Sequence, residues 1–132
     1  MNVYIAAPWV RRHDEVPAIV AKVLAAGHTV VSRWHTDWLH IDTNDPTALR
    51  QEALNDLTDV ARAQILLVLN LEKSEGKAVE QGIALALDIP IIVVGETRFN
   101  VFQYLLQFRL VSSVEEALEL METIPEPGMI VL

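Results

Sequence analysis

Apolar residues in this chain gather in short unbroken runs, and between the runs they recur at helical spacing. The first run, residues 2–7 (Asn2-Val3-Tyr4-Ile5-Ala6-Ala7), stops at Pro8 and reads as a buried strand. Val16, Ile19, Val20, Val23 and Leu24 then mark a helix over about 14–26, with Pro17 in the first turn and Gly27 as its C-terminal cap. Thr29-Val30-Val31-Ser32 is a second strand. Residues 34–45 are polar and aromatic with no clear period, the longest irregular stretch predicted. Asp45-Pro46 forms an N-cap followed by an N1 proline, opening a helix to about Arg62 with Leu49, Ala53, Leu57 and Val60 on one side. Ile65 to Leu69 and Ile91 to Val94 are apolar throughout, as strands buried on both faces are. Residues 71–76 read as a loop, and a helix from there ends near Asp88-Ile89-Pro90. Asn100 to Leu106 suits a short helix and Arg109 to Val111 a fifth strand. Ser113-Val114-Glu115-Glu116 has the form of a capping box before a last helix to about Thr123.

Continuous apolar strands alternating with helices predict an α/β fold, a parallel sheet covered on both faces. Right-handed crossovers leave few topologies, and a flavodoxin-like three-layer sandwich with strand order 2-1-3-4-5 is expected, as a single domain over 1–132. The switch point then lies between the first and third strands. The loops after Ala7, Trp34 and Leu69 meet there.

Composition narrows the chemistry. The chain has 132 residues, 52% of them hydrophobic, and a formal net charge of −8. That balance argues against a nucleic-acid polymer as partner, which needs a basic face, but permits a small nucleoside or nucleotide. With no cysteine, disulfides, thiolate metal sites and cysteine nucleophiles are excluded. No apolar run approaches the ~20 residues of a membrane span, and no secretory signal is read at the N-terminus. No membrane association is expected, and a cytoplasmic location is the default.

Among individual residues, Glu80 stands out. It lies in Gly76-Lys77-Ala78-Val79-Glu80-Gln81-Gly82-Ile83-Ala84, early in a helix that follows a buried strand. Open α/β folds place ligands at such strand ends, and the helix N-terminus is expected to help keep the carboxylate ionised. An ordered carboxylate there suits attack on an anomeric carbon; a solvated glutamate in a first helical turn is the plainer alternative. The small residues Ala6 and Ala7 at the end of the first strand let a ligand approach the backbone. Trp9 suits a pocket wall that stacks on a base, and Tyr4 is either a site residue or a core aromatic. Asp56, in Asn55-Asp56-Leu57, faces either the cleft or the solvent, and Asn and Asp are poor helix-interior residues. His35, Asp37, His40 and Asp42 cluster in one segment, but their spacing fits no standard zinc pattern, so no metal is expected. The acidic residues Glu115, Glu116, Glu119 and Glu122 read as a solvated helix face.

Taken together, these segments resemble the nucleoside 2-deoxyribosyltransferase family. Tyr4-Ile5-Ala6-Ala7-Pro8-Trp9 is similar to its N-terminal strand motif, Asn55-Asp56-Leu57 to its internal aspartate motif, and Gly76 to Ala84 to the segment bearing its nucleophilic glutamate. Asn100-Val101-Phe102 resembles the segment that reaches a neighbouring subunit's site. The resemblance spans residue 2 to about 120. It implies a base exchange in which Glu80 forms a covalent deoxyribosyl intermediate, Tyr4 orients it, and Asp56 donates a proton to the departing base or holds sugar or base. It implies Trp9 and Trp34, with Trp38, at the base pocket, and no cofactor. It also implies a homodimer or higher homo-oligomer with shared sites, for which the apolar stretch Phe99 to Leu110 is suited. One departure bears on the substrate. Where the transferases often carry an aspartate, this chain has Ser74, which looks like the related deoxynucleoside 5′-monophosphate N-glycosidases. Ser74 beside Gly76 at a helix N-terminus suits a phosphate, with Arg11, Arg12, Lys77 and Arg98 as added positive charge. An exchange enzyme, a monophosphate hydrolase and a non-catalytic nucleotide-binding domain all remain open readings of the fold.

Overall fold

Val3, Tyr4, Ile5 and Ala6 are all fully buried, so the first strand has water on neither face. In the computed structural model, which describes residues 1–37 and 41–125, this strand (β1, Asn2–Ala6) lies inside a five-stranded sheet. Its companions are β2 (Thr29–Val30), β3 (Ile65–Leu69), β4 (Ile91–Val94) and β5 (Phe108–Val111). Every pairing is parallel and the order is β2-β1-β3-β4-β5, the flavodoxin-like arrangement expected. Val3 stands opposite both Val30 and Ile65, and Leu67 opposite Ile92. All five residues of β3 are buried, which accounts for its lack of polar alternation. The order reverses between β1 and β3, and a crevice opens at their carboxyl ends.

The helices begin where capping chemistry places them. Asp14, Asp45, Ser74 and Ser113 each accept a backbone N–H in the first turn of α1 (Glu15–Ala25), α3 (Pro46–Ala61), α4 (Glu75–Ala86) and α5 (Val114–Glu122). Gly27, at φ +91°, turns the chain after α1 in a conformation that L side chains avoid. The expected capping box before α5 forms only by half: Ser113 Oγ accepts from Glu116 N at 3.1 Å. The Glu116 carboxylate turns instead to Ser112 N and Oγ, at 2.8 and 2.7 Å.

Other expectations change. β2 ends at Val30 rather than Ser32, because Ile5 N donates to the Ser32 hydroxyl at 3.1 Å in place of a strand carbonyl. The stretch read as irregular opens with a short helix, α2 (Trp34–Asp37), in which Trp34 and His35 are buried. The apolar side of α3 is not a core stripe. Val60 is buried, but Leu49, Ala53 and Leu57 border a cavity, while Glu52 and Asp59 take buried positions. Trp38, His40 and the C-terminal segment 126–132 lie outside the described residues. Among the described residues, no helix is long and apolar enough to cross a membrane.

Candidate active site

A cavity of about 650 Å³ opens at the crevice between β1 and β3, walled by α3, α4 and the segments after β1 and β2. Its lining is mainly apolar, with Asp56, Lys77 and Glu80 the ionisable ones among the described residues. Glu80 sits in the second turn of α4 and is 9% exposed. Tyr4, fully buried on β1, donates its hydroxyl to Glu80 Oε2. The strand and helix that bring these two together are separated by 76 residues of chain.

Burial governs the electrostatics. It raises the Glu80 carboxyl to about 8; the Tyr4 hydrogen bond opposes the rise, Asp56 adds to it, and Lys77 counters it. The expectation that the helix N-terminus keeps Glu80 ionised is therefore overturned. Glu80 lies past the first turn, where the dipole has faded, in surroundings that disfavour charge. The Tyr4 phenol is pushed far up, chiefly by burial and then by Glu80, so it remains a hydrogen-bond donor. Asp56 is half-buried and is raised to about 7 by burial, then by Glu52, Asp59 and Asp37. Its Oδ1 is buried and accepts no hydrogen bond from the described residues.

The aromatic walls differ in how they are held. Trp34 is anchored, its indole N–H donating to Ile5 O at 2.8 Å, whereas Trp9 is 40% exposed at the mouth with the Arg12 guanidinium stacked 3.4 Å over its ring. Ser74 and Gly76 border the cavity from the start of α4. Ala6 is fully buried, and Ala7 takes the wall position instead. Asn100 caps the 3₁₀ turn Val101–Tyr104 and borders a second cavity of about 320 Å³, which shares Ser74 and Lys77 with the first. Phe102 is 61% exposed and borders neither cavity. Within one chain, Asn100 and Phe102 are thus not assembled with Glu80.

The cations considered for a phosphate have protein partners. Lys77 is buried and donates to Glu72 O at 2.6 Å and to Leu69 O and Asn70 Oδ1, both at 3.3 Å. Burial lowers its ammonium to about 8. Arg11 pairs with Glu72 at 3.0 Å, and Arg98 donates to Gln103 O at 3.0 Å. His35 is tied to Ser32 Oγ at 3.0 Å, and burial lowers its pKa. Among the described residues, no group of His, Asp and Glu is arranged to hold a metal ion.

Several buried polar residues escape the sequence reading. Asn70, Gln81 and Gln103 form a chain: Asn70 Nδ2 donates to Gln103 Oε1 at 3.1 Å and Gln103 Nε2 to Gln81 Oε1 at 2.9 Å. Gln81 Nε2 donates onward to Lys77 O at 2.9 Å. This network ties the end of β3 and the start of α4 to the segment around Phe99. Asp59, fully buried, takes a bidentate pair with Arg33, the closest contact at 2.9 Å. The one signal for these residues was an amide or acid set among apolar neighbours, as Asn70 is directly after β3.

Two solved structures resemble the chain. One is a 2-deoxyribosyltransferase from the psychrotolerant bacterium Bacillus psychrosaccharolyticus, with a TM-score of 0.69 and 16% identity over 89% of this chain and 90% of that one. The other is a CMP N-glycosidase of Clostridium botulinum, with a TM-score of 0.60 and 12% identity over 94% of this chain and 100% of that one. No protein-family model matches the sequence, and comparison with curated proteins gives no match. At these identities the likeness establishes a shared fold.

Proposed function

We propose that the chain transfers the 2′-deoxyribosyl group between bases, with Glu80 as nucleophile, Asp56 as proton donor and Tyr4 as the group that orients Glu80. The observation that carries this reading is the Tyr4–Glu80 hydrogen bond at the wall of a cavity that Asp56 also faces. A non-catalytic binding domain has no need for two carboxyl groups held at raised pKa in one apolar cavity.

The chemistry runs as a double displacement. The base of a deoxynucleoside lies between Trp9 and Trp34, with its sugar toward Ser74, Gly76 and Glu80. As the C1′–N bond breaks, its electrons pass to the base, which takes the proton of Asp56. The reacting form is the one in which Glu80 has released its proton to solvent while Asp56 keeps its own, and Glu80 closes on C1′ as that carboxylate. A nitrogen of the incoming base then attacks C1′ from the opposite side, Glu80 leaves, and the incoming base's proton returns to Asp56. In the empty cavity burial favours a proton on Glu80. Positive charge developing on the sugar reverses that preference, so the carboxylate is stabilised most in the transition state. The absence of a 2′-hydroxyl makes that state easier to reach. The chemistry requires no cofactor.

Ser74 favours a second reading, hydrolysis of a deoxynucleoside 5′-monophosphate, because a neutral residue stands at the head of α4 where an acid would repel phosphate. The structural likeness to a CMP N-glycosidase is consistent with it. In an oligomer, Asn100 and Phe102 would serve a neighbour's cavity; a solution mass at the monomer's 14.8 kDa would refute that part.

Incubation with a deoxynucleoside, with and without a second free base, separates the readings by chromatography. Base exchange supports the transferase, and free base plus sugar from a monophosphate supports the hydrolase. Saturable binding without turnover supports neither. Glu80→Ala should abolish turnover and any covalent adduct seen by intact mass; undiminished turnover refutes the role of Glu80.

A further inference from the structure

Three acids, Glu52, Asp56 and Asp59, follow one another along one side of α3 at intervals of four and three residues. Their partners differ sharply. Asp59 is satisfied by Arg33, whose backbone N–H, Nε and Nη2 all donate to it between 2.9 and 3.2 Å. Among the described residues, no cation forms an ion pair with Glu52 or Asp56. Asn55 Nδ2 reaches Glu52 Oε1 at 3.4 Å, while Glu52 Oε2 and Asp56 Oδ1 are buried with no hydrogen-bond partner among the described residues. Glu52 is only 8% exposed, although it stands outside the lining of the cavity. Side chains four apart on a helix are neighbours, their Cβ atoms roughly 5–6 Å apart. A buried and a half-buried carboxylate at that separation, neither in an ion pair with a described residue, do not both ionise readily, since each disfavours charge on the other. Among the groups around Asp56, Arg33 eases ionisation, but burial and the neighbouring acids outweigh it. Asp37 on α2, Glu80 on α4 and Asp59 on α3 are acids, Tyr4 on β1 donates to Glu80, and Arg33 is held by Asp59.

We propose that Glu52 and Asp56 form a coupled carboxyl pair that retains one proton at neutral pH, with Glu52 the positioning residue that keeps Asp56 in its donor form. This rests on the role given to Asp56 above. Glu52 itself touches no substrate. Its charge makes ionisation of Asp56 less favourable, so that the Asp56 proton is present when the base departs.

The test follows side-chain carboxyl resonances of the ¹³C-labelled protein through a pH titration, for the unsubstituted chain, E52Q and Glu52→Met. E52Q keeps the shape of the side chain, and the methionine variant removes the charge without introducing an amide. In both, the Asp56 midpoint should fall by about one to two pH units, the scale of repulsion between unit charges one helical turn apart. Because Asp56 at about 7 lies below Glu80 at about 8, its inflection is the acid one of the exchange rate against pH, and it should move down by the same interval. An Asp56 midpoint that stays in place in both folded variants overturns the pair, even if base exchange proceeds. A falling midpoint in a protein that turns over no deoxynucleoside or monophosphate supports the pair and refutes the proposed function, so the two failures are distinguishable.

Discussion

Replacing Glu80 by glutamine should stabilise the fold, and the gain should grow with pH. The carboxyl has an ordinary value of 4.5 and is raised to about 8 in the fold, chiefly by burial. Between those values the folded chain binds a proton at Glu80 that the unfolded chain has released. Stability therefore falls as pH rises through that window and is constant in this respect outside it. Each pH unit within the window is worth about 1.4 kcal/mol, which sets an upper bound of about 4 kcal/mol at pH 8. Asp56 titrates in the same range and shares the cavity, so part of the slope belongs to the pair, and about 2–4 kcal/mol is expected for Glu80. For a chain of this size that is a rise in Tm of about 6–12 °C at pH 8. The amide oxygen introduced by E80Q still accepts from Tyr4, so packing is preserved. Urea unfolding of both proteins at about pH 5 and about pH 8 checks this, since the window opens near the first value and closes near the second. The variants should be close in stability at the lower pH and diverge at the higher one. A difference that is the same at both pH values, or that favours Glu80 at the higher, refutes the assignment of a buried, high-pKa carboxyl.

Two more predictions test the surroundings of that carboxyl. Tyr4→Phe removes the donor to Glu80 Oε2; a hydrogen bond to a charged group is worth about 1.5–3 kcal/mol, so the inflection set by Glu80, the alkaline one of the activity profile because Glu80 lies above Asp56, should rise by about one to two pH units. A profile left in place would show that Tyr4 does not hold the ionised form. Gly95→Ala would set a Cβ 2.9 Å from the Asn70 Cβ, at the end of the strand that anchors Lys77 and Gln103. Overpacking of this kind should cost about 1–3 kcal/mol in urea unfolding, and an unchanged midpoint would mean Asn70 moves freely.

Much of the architecture is local information, and the chain states it plainly. The runs Ile65 to Leu69 and Ile91 to Val94 have no polar alternation, which is the mark of strands covered on both sides. Asp14, Asp45, Ser74 and Ser113 open helices because a short polar side chain can take an unpaired N–H wherever it stands. Alternation of such strands and helices, with right-handed crossovers, leaves the observed strand order as the natural solution. Local pattern marks Tyr4, Asp56 and Glu80 as chemically capable but leaves each a plainer alternative, and the roles expected of them come from the family resemblance.

Their ionisation could not be read locally, because it depends on elements that are distant in the chain. Glu80 reads as an exposed first-turn acid until α4 is placed against β1, whereupon burial outweighs the helix dipole and reverses the expected protonation. Lys77 reads as a free cation, yet the turn after β3 surrounds it with three oxygens. The side of α3 carrying Leu49, Ala53 and Leu57 has the spacing of a core stripe but lines the cavity, while Glu52 and Asp59 are enclosed. Periodicity reports which residues share a face. What that face meets, and hence which charges survive on it, is decided when the third dimension brings separate segments together.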